Sequence, residues 1–288
     1  MSHTKLKSNT VNPQTHRRIM NRINYLIFIL VLSCINLPIA LANDDIPGLN
    51  AAQLQSIGEK IYQNETGSNP EHLIAWNNGE AFSSLGLGHF IWFPKDMISP
   101  FTETFPSLLQ YLQAQNVPIP NWLQQTQYCP WKTKQEFTDA KDSLQMQELR
   151  SLLGSTFKHQ VAFIHQRMRR SLPLMLAEVD NAETQSLVSS RFKALAATEL
   201  GMYSLIDYVN FKGEGIAETE KYNNQGWGLL QVLLNMQLDS QNQHLAFTQA
   251  CDAMLTRRVK NSPQKHIEQN WLAGWRKRCD TYSNTSLR

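Results

Sequence analysis

The chain has 288 residues, of which 42% are hydrophobic and 18% are charged. This length is sufficient for one sizeable core, or for a small lobe beside a larger helical body. The formal net charge of +3 arises from residues 1–42, which carry five basic and no acidic side chains. The remaining 22 basic and 24 acidic residues give no case for nucleic-acid binding from net charge.

The amino terminus has the order of a signal peptide. A basic segment precedes the apolar stretch 23–35, which is shorter than the roughly 20 residues of a membrane span. The small residues Ala40 and Ala42 flank Leu41 as at a cleavage site. We therefore expect residues 1–42 to be a signal peptide, residues 43–288 to form a single domain, and the mature protein to be periplasmic or secreted.

Two alternatives keep the chain at a membrane. The residues 31–34 (VLSC) form a poor lipobox, and processing there would leave a lipid on Cys34. An uncleaved signal would also act as an anchor. We expect membrane association only in these two cases.

The first element of the mature chain is an amphipathic helix. Leu54, Ile57 and Ile61 fall on one of its faces. Gly67 suits a carboxyl-terminal cap, so the helix is predicted to stop near Asn64. Glu65 then lies where the helix meets a loop.

A glycine-punctuated hairpin follows at residues 82–93. Gly86 and Gly88 lack side chains, so the backbone there can approach a ligand closely. With Glu65 at the preceding helix end, the motif 84–89 (SLGLGH) resembles the amino-terminal lobe of phage-type lysozymes. The resemblance implies that Glu65 is the catalytic acid, that Ser84 replaces the hairpin threonine of that family, and that His89 matches its hairpin histidine.

The loop between helix and hairpin departs from the lysozyme pattern. It is a few residues longer, and the second carboxylate of that family has no Asp counterpart, because position 78 is Asn. Glu80 is the nearest acid and is the candidate second catalytic carboxylate. Trp76 and Asn77 are candidate substrate-binding residues, with aromatic rings of the hairpin completing an apolar wall. His89 and the hairpin aromatics also suit a purely structural role.

Residues beyond Pro94 have helical periodicity. The pattern predicts helices over 101–115, 133–142, 144–153, 157–179 with a kink or break at Pro173, and 183–209 with an interruption at Gly201. Cys251 and Cys279 both lie on apolar helix faces, so a disulfide and two buried free thiols are equally compatible with the sequence. Six scattered histidines give no metal-ligand cluster.

A second polar segment closes the predicted helix at its carboxyl end. Asp207, Asn210 and Glu214 surround two glycines, and this pattern suits either a ligand-facing loop or an ordinary helix cap. The segment then leads to residues 222–232 (YNNQGWGLLQV).

This run resembles the Gly-Leu-Met-Gln segment of goose-type lysozymes and soluble lytic transglycosylases. The resemblance implies that Trp227 and Gln231 line a glycan cleft, although Leu230 stands where Met is usual. In those families a catalytic Glu precedes the Gln by under twenty residues, and Glu214 precedes Gln231 by seventeen positions. Asp207, Asn210 and Glu214 are therefore candidate substrate-binding residues, and Glu214 is the rival to Glu65 as the acid. The residues 229–236 also suit a buried helix.

Taken together, the two resemblances predict a mainly α (α+β), lysozyme-like fold with a small β-hairpin lobe and a larger helical body. The expected function is cleavage of peptidoglycan by a muramidase or a lytic transglycosylase, with Glu65 as general acid. The alternatives are a non-catalytic glycan-binding protein and a hydrolase of another amino-sugar polymer such as chitosan. We expect a monomer without a cofactor or metal, and a single cleft that brings Glu65, Glu80, Ser84 and Gln231 together.

Overall fold

The computed structural model describes residues 46–99, 102–237 and 242–283. They fall in one compact unit that spans Asn43–Arg288. The predicted signal peptide, its cleavage site and Cys34 lie outside the described residues. Within the described ranges, no helix has the length and apolar content needed to cross a membrane.

The first helix, α1, spans Ala51–Thr66 and has defined caps at both ends. At its start, the Asn50 side chain accepts hydrogen bonds from backbone amides and Gln53 reaches back in a capping box. At its end, Gly67 adopts the left-handed conformation with φ 62°, which costs a glycine little. The predicted cap is confirmed, and Glu65 lies in the last turn of α1.

A small antiparallel sheet follows a short 3₁₀ helix, Pro70–Leu73. Its strands are β1 (Ile74–Ala75), β2 (Ser83–Leu85) and β3 (Phe90–Trp92), in the order β1-β2-β3. The predicted hairpin is confirmed, but its strands are short. Residues 86–89 turn instead of continuing the ladder, because Gly86 and His89 have positive φ angles of 68° and 46°.

Helices make up most of the remaining chain. They are α2 (Phe105–Ala114), α3 (Asn121–Gln124), α4 (Lys134–Asp139), α5 (Leu144–Ser155), α6 (Phe157–Ala177), α7 (Ala182–Ala196), α8 (Glu199–Lys212), α9 (Leu229–Asn235), α10 (Gln243–Asn261) and α11 (Lys265–Asp280). A two-stranded antiparallel sheet of β4 (Lys221–Tyr222) and β5 (Gln225–Gly226) precedes α9. The part of the chain that the structure describes is therefore mainly α with two small sheets.

The predicted interruption at Gly201 is wrong. The chain breaks earlier, where the Thr198 side chain accepts a hydrogen bond from the Gly201 amide and caps α8. Gly201 lies inside α8, and a Cβ at this position would be 2.2 Å from the carbonyl oxygen of Leu195. The glycine thus allows α7 and α8 to pack closely across the break.

Helix α8 is the centre of the core. All residues from Leu200 to Val209 are buried, as expected of a helix with neighbours on every side. It packs against α1, α6, α7 and α9, while α10 packs against α11. Cys251 of α10 and Cys279 of α11 form a disulfide, which decides between the disulfide and the two free thiols that the sequence left open.

Candidate functional site

Glu65 lies where α1, the hairpin turn, α8 and α11 meet. Its side chain is 10% exposed. Oε1 accepts hydrogen bonds from Nη2 of Arg278 at 2.6 Å and from Nδ2 of Asn210 at 3.3 Å. Oε2 lies 3.4 Å from Nδ1 of His89, whose side chain is 30% exposed. Oε1 is thus held by two side chains of the protein, and Oε2 faces the more exposed side at the hairpin.

Asp207 lies beneath Glu65 and is fully buried. Arg278 donates to its Oδ2 through Nε and to its Oδ1 through Nη2, both at 2.8 Å. The hydroxyl of Tyr282 donates to Oδ2 at 2.6 Å. Arg278 therefore bridges two carboxylates. The prediction that residue 207 lies in a ligand-facing loop is wrong, because α8 continues to Lys212 and turns Asp207 into the core.

The charge environment holds Glu65 ionised in the free protein. Burial alone would raise the pKa of this carboxyl, but the positive charge of Arg278, followed by that of His89, outweighs it and lowers the pKa below its ordinary value. A general acid must carry a proton, so the free protein does not hold Glu65 in the form that its expected role requires. The reason is Arg278, which is more than two hundred residues away in the chain and carries no local signal of its role.

A second group of expected site residues surrounds Glu80. Its Oε2 accepts hydrogen bonds from Nδ2 of Asn77 at 3.0 Å and from Oγ of Ser84 at 3.4 Å, and its backbone carbonyl accepts one from Nε1 of Trp76. Ser84 and Trp76 are buried. None of the hydrogen-bond partners of Glu80 is shared with Glu65 in the described residues.

The aromatic residues expected to form an exposed wall are in the core. Phe90 is 4% exposed and Trp92 is fully buried, because both pack beneath the sheet. Trp76 is also buried and lines a cavity of about 180 Å³ together with Phe137 and other residues of α4 and α5. These rings stabilise the small lobe, and they are not presented to a ligand beside Glu65.

The segment 213–231 is tightly packed. Glu214 accepts two hydrogen bonds from Arg167, from Nε at 3.0 Å and from Nη2 at 2.9 Å, so it is not held in a mobile loop. Gln231 donates to the carbonyl of Gly215 at 2.9 Å, while its buried Oε1 has no hydrogen-bond partner. Trp227 is 3% exposed, which withdraws its ring from stacking on a sugar in this state.

The segment at the end of α8 nevertheless meets Glu65 and the hairpin turn, and the contact is made by Asn210. This residue is in α8, one turn before the glycine-rich segment, and its side chain reaches both Glu65 and the hairpin turn. A Cβ at Gly88 would be 3.0 Å from Oδ1 of Asn210, so glycine allows the close approach of the turn to α8. Among the described residues, no hydrogen bond joins Gln231 to Glu65, and the expected single cleft with Gln231 stays a prediction.

Sequence reasoning missed two side chains of this site, Arg278 and Tyr282. Arg278 is in the last turn of α11, where a basic residue is ordinarily a partner of the helix dipole, and Tyr282 follows that helix. Chemically, the site offers one carboxylate oxygen facing an imidazole. Among the described residues, no group of three or more His, Cys, Asp or Glu side chains is arranged to hold a metal ion.

Comparison with known proteins gives no match: no protein-family model, no curated protein and no solved structure resembles this chain significantly.

Proposed function

We propose that the protein is an exported enzyme that cleaves peptidoglycan, with Glu65 as its catalytic carboxyl on a lysozyme-like arrangement of helix, small sheet and helical body. The observation that carries this proposal is the position of Glu65. It lies in the last turn of α1, with Oε1 bound by Arg278 and Asn210 and Oε2 turned towards His89 on the hairpin. The helix end and the hairpin are the two elements that the resemblance to phage-type lysozymes requires.

Cleavage of a glycosidic bond needs a proton on the leaving oxygen and stabilisation of an oxocarbenium-like centre. In the proposed reaction, the bound glycan separates Glu65 from Arg278, which remains paired with Asp207. Loss of the positive neighbour and further exclusion of water then raise the pKa of Glu65, so that it can carry and donate the proton. Asp207 serves as the positioning residue that retains Arg278.

The hydrogen-bonded positions of Glu80 and Asp207 favour a lytic transglycosylase over a two-carboxylate hydrolase. Glu80 belongs to the cluster of Asn77 and Ser84, and Asp207 is fully buried and paired with Arg278. Asp207 is therefore shielded from water, and Glu80 is held by partners that Glu65 does not share. Attack by a hydroxyl of the sugar itself, which yields an anhydro end, needs no second carboxylate.

One observation favours a different function. The ion pair between Arg278 and Glu65 keeps the carboxylate charged, and a charged carboxylate suits hydrogen bonding to sugar hydroxyls without proton transfer. A non-catalytic glycan-binding protein on the same scaffold is therefore the second candidate.

Analysis of the products from purified sacculi tests the proposal. The mature wild-type protein should release fragments with anhydro ends, and the Glu65→Gln protein should bind sacculi while releasing far less. Reducing ends would assign hydrolysis instead. Binding of sacculi by the wild type without any release of fragments would support the non-catalytic candidate and contradict the enzyme.

A further inference from the structure

One face of α11 exposes large apolar side chains. Ile267, Trp271 and Trp275 are spaced four residues apart, which aligns them along the helix. Trp271 is 49% exposed and Ile267 is 37% exposed. The ring centroids of Trp271 and Trp275 are 6.0 Å apart, so the two indoles form a contiguous aromatic surface.

Two cationic side chains pack against the ring of Trp275. Nζ of Lys212 lies 3.6 Å from the centroid of its ring, and the guanidinium carbon of Arg258 lies 4.9 Å from it. Such contacts over an aromatic face are attractive and orient the ring. Burial, together with the nearby guanidinium groups of Arg258 and Arg278, lowers the pKa of Lys212, which shows how closely these cations are packed. Trp275 is therefore a rigid support for the exposed ring of Trp271.

Further contacts between cations and aromatic rings connect Trp275 to Glu65. Lys212 also lies 3.9 Å from the ring centroid of Phe211, and the guanidinium carbon of Arg278 lies 4.1 Å from that centroid on its way to Glu65. Along α11, Trp271 precedes Arg278 by seven residues, an axial distance of about 10 Å at 1.5 Å per residue. The aromatic surface thus lies on the same helical face as Arg278, which contacts the candidate catalytic carboxyl.

We propose that Trp271, supported by Trp275, is a stacking subsite for a sugar ring of the glycan strand whose bond lies at Glu65. This inference rests on the proposed function for the identity of the glycan. A flat, rigid indole presents a large apolar area at low cost in conformational entropy, which suits the apolar face of a sugar ring.

Binding to purified sacculi by proteins that do not consume them tests the subsite. In the Glu65→Gln background, Trp271→Ala should weaken binding about tenfold, the scale of a lost aromatic anchor. Trp271→Phe keeps a ring and should retain most of the binding. Leu174→Ala removes a side chain that is 52% exposed on α6 and serves as the matched control. It should leave binding unchanged.

Kinetics with soluble glycan strands give the second measurement. In the protein that retains Glu65, Trp271→Ala should raise KM and leave kcat within about twofold, because the stacking energy is present before and during bond cleavage. Equal binding by the Trp271→Ala and parent proteins would overturn the subsite. Conversion of a dimer to a monomer by the same substitution would also overturn it, since the face would then be a self-interface.

The outcomes separate this inference from the proposed function. If Glu65→Gln cleaves sacculi as fast as the wild type while Trp271→Ala still weakens binding, the subsite stands and the catalytic assignment fails. If Glu65→Gln is inactive and Trp271→Ala binds normally, the catalytic assignment stands and the subsite fails.

Discussion

Nη2 of Arg278 lies 2.6 Å from Oε1 of Glu65, although 213 residues separate them in the chain. Helix α11 is thereby joined to the carboxyl end of α1. The same guanidinium also binds the fully buried Asp207, so removing it would leave two carboxylates without their main counter-charge.

Arg278→Ala should therefore be strongly destabilising. Breaking a buried ion pair by removing one partner costs about 3–5 kcal/mol, because the remaining charge is uncompensated. Arg276→Ala is the control, since Arg276 and its partner Asp252 are 48% and 45% exposed and such pairs contribute about 1 kcal/mol or less. Urea unfolding of both variants measures the difference. Equal midpoints for the two variants would contradict the buried network.

Stability should also fall in mild acid because of His165 in α6. Burial, followed by the nearby Arg169, lowers the pKa of His165 to about 4, whereas the unfolded chain titrates near 6.5. Between these values the unfolded chain binds a proton that the folded protein does not, so the free energy of unfolding decreases as the pH falls from 6.5 to 4. His165→Asn keeps a donor in place of Nδ1 and should flatten this part of the profile, measured by urea unfolding at several pH values. An unchanged slope would show that His165 is not buried in the neutral form.

A further loss is expected at lower pH from Glu65. The pKa of Glu65 is lowered in the folded protein. Its contribution to the free energy of unfolding is therefore fully present above about pH 4.5, and it is lost as the pH falls through the folded-state pKa. In the Glu65→Gln protein this lower part of the acid transition should be shallower, while the part due to His165 should be unaffected.

The disulfide between Cys251 and Cys279 should be detectable and stabilising. It closes a segment with a sequence separation of 28, for which a loss of about 2–4 kcal/mol is expected on removal. Alkylation of the denatured mature protein should label two more cysteines after reduction than before it, leaving Cys129 as the thiol that reacts in both cases. Identical labelling with and without reductant would contradict the pairing.

Export is testable at the amino terminus. The basic segment, the apolar stretch and the Ala-Leu-Ala sequence at 40–42 predict a mature chain that begins near Asn43. Mass spectrometry of the protein recovered from the periplasm or medium checks this start. A lipid on Cys34 would establish the membrane-anchored alternative, and an intact amino terminus in the cytosol would contradict export.

The local elements of this fold were predictable, and the long-range charge network was not. Gly67 marks the end of α1 and the glycines at 86 and 88 mark the turn of the hairpin, because these signals depend on backbone conformation alone. The partner of Glu65 depends on how α11 returns to α1, which no spacing in the sequence encodes. Trp92 and Trp227 were placed in a cleft from their neighbours in the sequence, whereas packing buries both.

The rival carboxylate is tested by its own substitution. Glu214 accepts hydrogen bonds from Nε and Nη2 of Arg167, and no hydrogen bond or ion pair joins it to His89 or Asn210 among the described residues. Glu214→Gln should weaken this ion pair and change the rate of sacculus lysis only modestly. Lysis abolished by this substitution alone would move the catalytic role to Glu214 and favour the transglycosylase-type arrangement with Gln231.

The rate of sacculus lysis by the Glu65→Gln protein tests the central claim most directly. The amide keeps the shape of the side chain and an acceptor oxygen for Arg278, and it cannot donate the proton in catalysis. The rate should fall by about 10²-fold or more, the scale of lost general acid catalysis, with the fold intact by circular dichroism. A folded Glu65→Gln protein that lyses sacculi at the wild-type rate would contradict the assignment of Glu65 as the catalytic carboxyl.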